Sequence, residues 1–331
     1  MDAHRIVETA TPLQHLSRLS DHLGISLFVK RDDLAGPSLG GNKSRQLEYY
    51  FGDALAQGAD TILITGAVQS NYVRIAAAVA NTLGLNCIVQ LEQRVDTKSP
   101  VYAASGNVLL NQLLGAEVMT YPEGEDEDGA DRALEARASD LRAEGKRPYV
   151  IHLGESHPPL GALGYVDAAH EILKQRDDFD AFVVASGSGS THSGLLAGLR
   201  GVGHTAPVYG SCVRRAADVQ NARLRRIMLR LTTLYEGAAK VDDQDIQVWD
   251  GALAPGYGKV GPPAMEAMTL MARYAGLILD PVYTAKAFAA VPALIRDGTI
   301  KPGARVCFAH TGGAAGVFAY QDVLSDALSS S

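Results

Sequence analysis

Short apolar runs, each closed by a glycine or a polar turn, alternate along this chain with longer segments whose apolar residues recur every three or four places. In the first half the runs SLFVK (Ser26–Lys30), TILIT (Thr61–Thr65), NCIVQL (Asn86–Leu91), Glu117–Tyr121 and Tyr149–Leu153 predict strands. The intervening periodicity predicts helices over Lys43–Ala56, where Leu47, Tyr50, Phe51 and Leu55 share a face, and over Ala76–Leu83, Gly106–Leu114 and Asp131–Glu144. The acidic stretch EGEDEDGA (Glu123–Ala130) reads as an exposed loop. In the second half, Ala181–Ala185, Pro207–Cys212 and Arg305–His310 read as strands. Helices are expected over Leu163–Lys174, Ser193–Leu199, Ala216–Leu231, Pro263–Ala275 and Tyr283–Arg296.

Strands separated by helices imply an α/β fold whose parallel sheets are covered on both faces. The chain has 331 residues, enough for two such three-layer units. Ligands then belong at the carboxyl ends of the strands, in the crevice between the units.

Composition narrows the class of partner. The net charge is −7 and no dense run of Lys or Arg occurs, which argues against nucleic acid and anionic membranes. No stretch approaches the roughly 18 apolar residues of a membrane span, and MDAHRIVETATP carries no apolar signal region. Cys87, Cys212 and Cys307 are far apart in apolar surroundings, with neither zinc-ligand nor disulfide spacing. Buried thiols in a reducing cytosol are expected, and a cytoplasmic protein that binds no metal.

Four loops carry the candidate chemistry. AGPSLGGNKS (Ala35–Ser44) resembles a nucleotide loop, but G-x-x-x-x-G-K-[ST] places lysine directly after the second glycine, and here Asn42 intervenes before Lys43. SGSGST (Ser186–Thr191) lies between a strand and a helix, where freed backbone N–H groups bind anions. His192 stands where a dinucleotide fingerprint needs its third glycine, so Gly187, Ser188, Gly189, Ser190 and Thr191 suit a terminal phosphate monoester better than a pyrophosphate. GAVQSNYVR (Gly66–Arg74) puts Ser70 and Asn71 at a helix start, where either could simply cap it. HTGG (His310–Gly313) offers Thr311 beside two glycines that let backbone approach a ligand. A buried lysine can form a Schiff base with an aldehyde, and pyridoxal phosphate carries one aldehyde and one phosphate. Asp280 ends the run AGLILD, but no second phosphate-loop feature supports a metal-assisted nucleotide site there.

These motifs, in order with TPLQHLSRLSDHLG, VKRDDLAG, SGNVLLNQLLGA, GALGY, APGYG and LDPVYTAK, resemble the D-cysteine desulfhydrase and 1-aminocyclopropane-1-carboxylate deaminase family. That family, which includes L-cysteate sulfo-lyase, belongs to the tryptophan-synthase-beta-like (fold type II) pyridoxal-phosphate enzymes. The resemblance covers nearly the whole chain. It implies that Lys43 holds the cofactor aldehyde, that Asn71 touches the ring hydroxyl, and that Gly187 to Thr191 hold the phosphate. Ser70 is then placed beside substrate and lysine, and Tyr257 and Tyr283 face the substrate. Gln69, Tyr72, Glu155 and Ser156 are expected around the substrate. Thr284 holds the position that is acidic in the cyclopropane deaminases, and with Thr311 it points to the desulfhydrase side.

A neutral hydroxyl at the ring nitrogen suits loss of an α proton followed by departure of a β leaving group. The expected reaction is therefore elimination from a three-carbon amino acid of the D-cysteine or L-cysteate type, with Lys43 moving the α proton and Tyr283 assisting. A cyclopropane deaminase, an amino-acid racemase and a pyridoxal-phosphate- or nucleotide-binding regulatory protein are the alternatives. The family pattern has His at Tyr72, Gln at Ile75 and Gly at Glu155, departures that point to an altered pocket. The expected domains are 1–49 with 163–331, carrying the phosphate cup, and an inserted smaller domain over 50–162. The expected assembly is a homodimer.

Overall fold

The computed structural model describes residues 2–329; Met1 and the pair Ser330 and Ser331, which end the expected large domain, lie outside the described residues. Among the described residues ten strands form two sheets. The strands are β1 (Leu13–His15), β2 (Ser26–Lys30), β3 (Thr61–Ala67), β4 (Asn86–Glu92), β5 (Glu117–Tyr121), β6 (Pro148–Ile151), β7 (Ala181–Ser186), β8 (Val208–Cys212), β9 (Ile246–Trp249) and β10 (Arg305–Ala309). The larger sheet runs β1-β2-β10-β7-β8-β9, and only the β1–β2 pair is antiparallel. The smaller runs β5-β4-β3-β6 and is wholly parallel.

Both central strands read as near-continuous apolar runs because both faces are covered. Every residue of β3 is buried, and Val183, Val306 and Phe308 are inaccessible in the larger sheet. Leu134, Ala138 and Leu141 of the Glu127–Ala143 helix close the outer face of the smaller sheet against Leu63 and Ile88. On the inner face, Leu47 and Phe51 pack with Val73, Ala76 and Val79. The end of the chain joins that core: Tyr320 and Leu324 pack there, and the Tyr320 ring meets Tyr102 edge-on at 5.5 Å.

Several elements start earlier than the periodicity indicates. The expected Ala76–Leu83 helix is Asn71–Thr82, and the expected Ser193–Leu199 helix is Ser190–Gly201. The expected acidic loop is partly helix, because Asp126 accepts from Gly129 N at 2.8 Å and so caps the Glu127–Ala143 helix. Two short strands escape the pattern: β1 and the edge strand β9, whose run IQVW is too brief to alternate visibly. The three cysteines are buried and free, and burial pushes each thiol up to about 12. No described helix is long and apolar enough to cross a membrane.

Candidate active site

The carboxyl ends of β3, β6, β7, β8 and β10 converge on one cleft of about 840 Å³, open mouth included, that takes residues from both sheets. Three helices begin at its wall: Asn42–Ala56, Asn71–Thr82 and Ser190–Gly201. The third has no side-chain cap, so its leading N–H groups are left for a ligand, whereas in the first Asn42 N donates to Thr311 O at 3.1 Å. Gly187, Ser188, Gly189 and Thr191 line the cleft at the third helix. Gly189 has φ +105°, and a Cβ there would come 2.5 Å from Ile227 Cδ1. Gly189 therefore keeps the start of the third helix open to close approach by a phosphate monoester, since its backbone conformation strains any side chain. Thr191 Oγ1 accepts from Asn42 Nδ2 at 2.8 Å and Gln46 Nε2 at 2.7 Å, which ties the cradle to the lysine-bearing helix. Its own proton remains to be donated.

Lys43 stands one residue into that helix, with Nζ donating to Gln46 Oε1 at 3.0 Å and lying 5.1 Å from the centre of the Tyr72 ring. The cleft leaves part of the side chain open, yet desolvation lowers the ammonium to about 8. The preceding Gly41 has φ +132°, and a Cβ there would sit 3.2 Å from Thr311 O. A lowered pKa makes neutral amine available, so the rate at which cofactor-free protein captures pyridoxal phosphate should rise about tenfold per pH unit below about 8 and then level off. Stopped-flow absorbance measures this, and a midpoint near the ordinary 10.5 would contradict it.

Asn71 is oriented by its neighbours. Its Oδ1 accepts from Asn107 Nδ2 at 3.1 Å and from Arg74 Nη2 at 3.4 Å, so its amide donor is left for the cleft. Ser70 lines the cleft beside it and caps the helix, accepting from Tyr72 N at 3.2 Å. Thr311 lines the cleft with a hydroxyl that makes no hydrogen bond among the described residues. Tyr257 and Tyr283 join hydroxyl to hydroxyl, with ring centroids 6.1 Å apart. Burial, then the neighbouring Tyr257, raises the Tyr283 phenol well above its ordinary value, so it stays protonated and can donate.

Several expected residues are placed elsewhere. Thr284 is fully buried and does not line the cleft, because its hydroxyl turns back to donate to Asp280 Oδ1 at 2.7 Å. Gln69 is spent on bracing: Nε2 donates to Tyr102 O at 2.6 Å and Ser105 O at 3.0 Å, and Oε1 accepts from Asn107 N at 2.9 Å. Ser190 and Glu155 line a neighbouring recess, where Glu155 accepts from Arg226 Nε at 2.9 Å. Ser156 is exposed and lines neither. Tyr72 lines both spaces.

Other residues at the site carry little sequence signal. Asp280 accepts from Val282 N and Tyr283 N at 2.9 Å each and from Thr284 N at 2.8 Å, besides the Thr284 hydroxyl, which fixes the turn that presents Tyr283. Burial raises its carboxyl above the ordinary value in spite of those donors. Buried Lys286 donates from Nζ to Leu253 O at 2.9 Å and Gly256 O at 2.7 Å, holding the loop that carries Tyr257. Glu127 accepts from Arg214, Arg215 and Arg223, linking the helix on the smaller sheet to the segment after β8. Burial alone would push this carboxyl up, but the charges of Arg223, Arg215, Arg214 and Arg94 hold it at about 2.

Over residues 5–312 the chain matches the family described as pyridoxal-phosphate dependent enzyme. It belongs to that family. The glycine-opened cradle, the desolvated lysine and the free amide donor of Asn71 fit a group with one phosphate, one aldehyde and one ring oxygen. The pyridoxal-phosphate dependent family also fits the similarities in sequence and fold. The chain is 41% identical over 323 residues to a D-cysteine desulfhydrase of Klebsiella pneumoniae subsp. pneumoniae, covering 95% of each chain. It is 42% identical over 321 residues to one of Yersinia pestis, covering 95% of this chain and 94% of that one. A solved structure described as an ACC deaminase homologue superposes with TM-score 0.86 at 34% identity, over 98% of this chain and 96% of that one. An L-serine ammonia-lyase from Rhizomucor miehei shares the fold, with TM-score 0.68 at 18% identity over 96% of this chain and 98% of that one.

Proposed function

We propose that the chain catalyses β-elimination from a small three-carbon amino acid of the D-cysteine or L-cysteate type, giving pyruvate, ammonia and sulfide or sulfite. The observation that carries this reading is a desolvated Lys43 in one cleft with a phosphate cradle and a hydrogen-bonded tyrosine pair. Bound pyridoxal phosphate supplies an electron sink for the pair left when the Cα–H bond breaks. Gly187, Ser188, Gly189 and Thr191 hold the phosphate, and the Asn71 amide donates to the ring oxygen. Thr311 offers a neutral hydroxyl to the ring nitrogen, a role the sequence leaves open between Thr284 and Thr311. Ser70 and the start of the Asn71–Thr82 helix hold the substrate carboxylate. Lys43 Nζ takes the α proton, and Tyr283 donates towards the leaving group with Tyr257 as its hydrogen-bond partner.

Residues 50–162 act as the smaller domain closing on 1–49 and 163–331, which excludes water. The separate sheets and the cleft between them support this, and matched free and ligand-bound structures test the closure. A homodimer in a reducing cytoplasm completes the reading. Exposed Ile278, Phe318 and Leu328 support the dimer and the free thiols the compartment; light scattering checks the assembly.

The likeness to the ACC deaminase homologue favours a second reading, ring opening of 1-aminocyclopropane-1-carboxylate. A panel of both enantiomers of cysteine, cysteate, serine and 3-chloroalanine, with the cyclopropane amino acid, separates the two. The expected product is pyruvate from the three-carbon substrates. Best turnover of the cyclopropane substrate to 2-oxobutanoate would reverse the choice. Exchange of the α proton without keto acid would indicate a racemase.

A further inference from the structure

Arg74, in the first turn of the Asn71–Thr82 helix, is fully buried and forms no ion pair among the described residues. Its Nε and Nη1 are buried without an acceptor there. The acids of the segment leading to the lysine loop are already matched, Asp32 with Arg45 and Asp33 with Arg31. The adjacent Ile75 brings only hydrocarbon, with Cδ1 3.5 Å from where a Cβ on Gly41 would sit. Desolvation lowers the guanidinium to about 10 with no carboxylate opposing it, so the charge is still present at neutral pH. A buried cation without an anion is costly, and a purely structural position would favour an apolar side chain of like volume.

The two hydrogen bonds that Arg74 does make lead to the cofactor site from both sides. Nη2 donates to Gly40 O at 3.2 Å and to Asn71 Oδ1 at 3.4 Å. Gly40 stands in the loop just before Lys43 with φ +60°, and a Cβ there would meet Asp33 O at 2.3 Å. One guanidinium nitrogen thus ties the lysine loop to the amide whose donor faces the cleft. In pyridoxal phosphate the aldehyde and the ring oxygen are on adjacent ring carbons, so Lys43 and Asn71 need a fixed separation. That oxygen is also the anion nearest to Asn71 once the cofactor is bound, and a hydrogen-bonded amide polarises towards it when a cation sits on its carbonyl end.

Resting on the assignment of Asn71 to the ring oxygen, we propose that Arg74 is a positioning residue for the cofactor. Its charge, relayed through the Asn71 amide, holds the ring oxygen in its anionic form, and its bond to Gly40 O fixes Asn71 against Lys43. The counter-charge that Arg74 lacks within the protein comes from the cofactor, which explains why a cation is kept in a position that apolar packing alone would fill.

The test compares two compounds on the cofactor-free protein by calorimetry: pyridoxal phosphate, and 3-deoxypyridoxal phosphate, which keeps the aldehyde and the phosphate and lacks the ring oxygen. The ratio of their dissociation constants gives the preference for the oxygen, and changes in that ratio between variants leave out the phosphate and aldehyde contacts. Asn71→Ala should lower the preference about 10–100-fold, the range for a hydrogen bond to a charged group. Arg74→Gln should lower it about tenfold, and Arg74→Lys, which keeps the charge, should retain most of it. Arg74→Met removes the charge at similar volume and gives the same comparison where the glutamine variant does not fold. A preference equal to wild type in a folded, uncharged variant, with Asn71→Ala lowering it, would overturn the role of Arg74 alone. A preference unmoved by Asn71→Ala would instead overturn the assignment of Asn71 to the ring oxygen, and the relay with it.

Discussion

Lys43→Ala should yield a folded protein that has lost the visible absorption of lysine-bound cofactor and about a thousandfold or more of its turnover. The magnitude follows from removing the proton-transfer group and the covalent anchor together. Folding should survive because Lys43 makes one side-chain hydrogen bond, to Gln46, and the Asn42–Ala56 helix is held by Leu47, Phe51 and Ala54 on its buried face. Thermal denaturation checks the fold, and a spectrum with added pyridoxal phosphate checks the anchor. Turnover within about tenfold of wild type would remove Lys43 from the chemistry.

Asp280→Ala should lower both stability and rate. The carboxylate is buried and accepts from three backbone N–H groups and the Thr284 hydroxyl, all of which would lose their partner. Leaving several buried donors unsatisfied costs on the order of 3 kcal/mol, read from the denaturant midpoint. The turn would also release Tyr283 from its contact with Tyr257, so kcat should fall with pyruvate as the readout. Asp280→Asn keeps one carbonyl oxygen and should recover part of each loss. Full stability with Asp280→Ala would mean that the turn is held by other contacts.

The parts of the site legible in the sequence are those carried by short glycine loops between a strand and a helix. Lys43, Ser70, Asn71 and the cradle at Gly187 to Gly189 are local features, and the structure gathers them in one cleft. The choice between Thr284 and Thr311 was not local. Both lie near strand or turn ends, and only the bond from Thr284 to Asp280 takes its hydroxyl out of the cleft. Arg94 and Arg214 gave no signal, because a charged residue after a strand reads as solvated surface. Both line the cleft, and their burial depends on Glu92 and Glu127, which come from β4 and from the first turn of a helix that the sequence reads as starting only at Asp131. The helices at the cleft begin before their apolar periodicity does, since the first turn of each faces a ligand rather than a core.

Borohydride reduction of the holoenzyme, followed by digestion and mass spectrometry, tests the central claim most directly. The chain has other buried lysines, Lys30 and Lys286, both engaged with carbonyl or carboxylate oxygens. A phosphopyridoxyl mass on the peptide containing Lys43, and on no other, is the predicted result. The same mass on a peptide containing Lys30 or Lys286, or no added mass on any lysine, would contradict it.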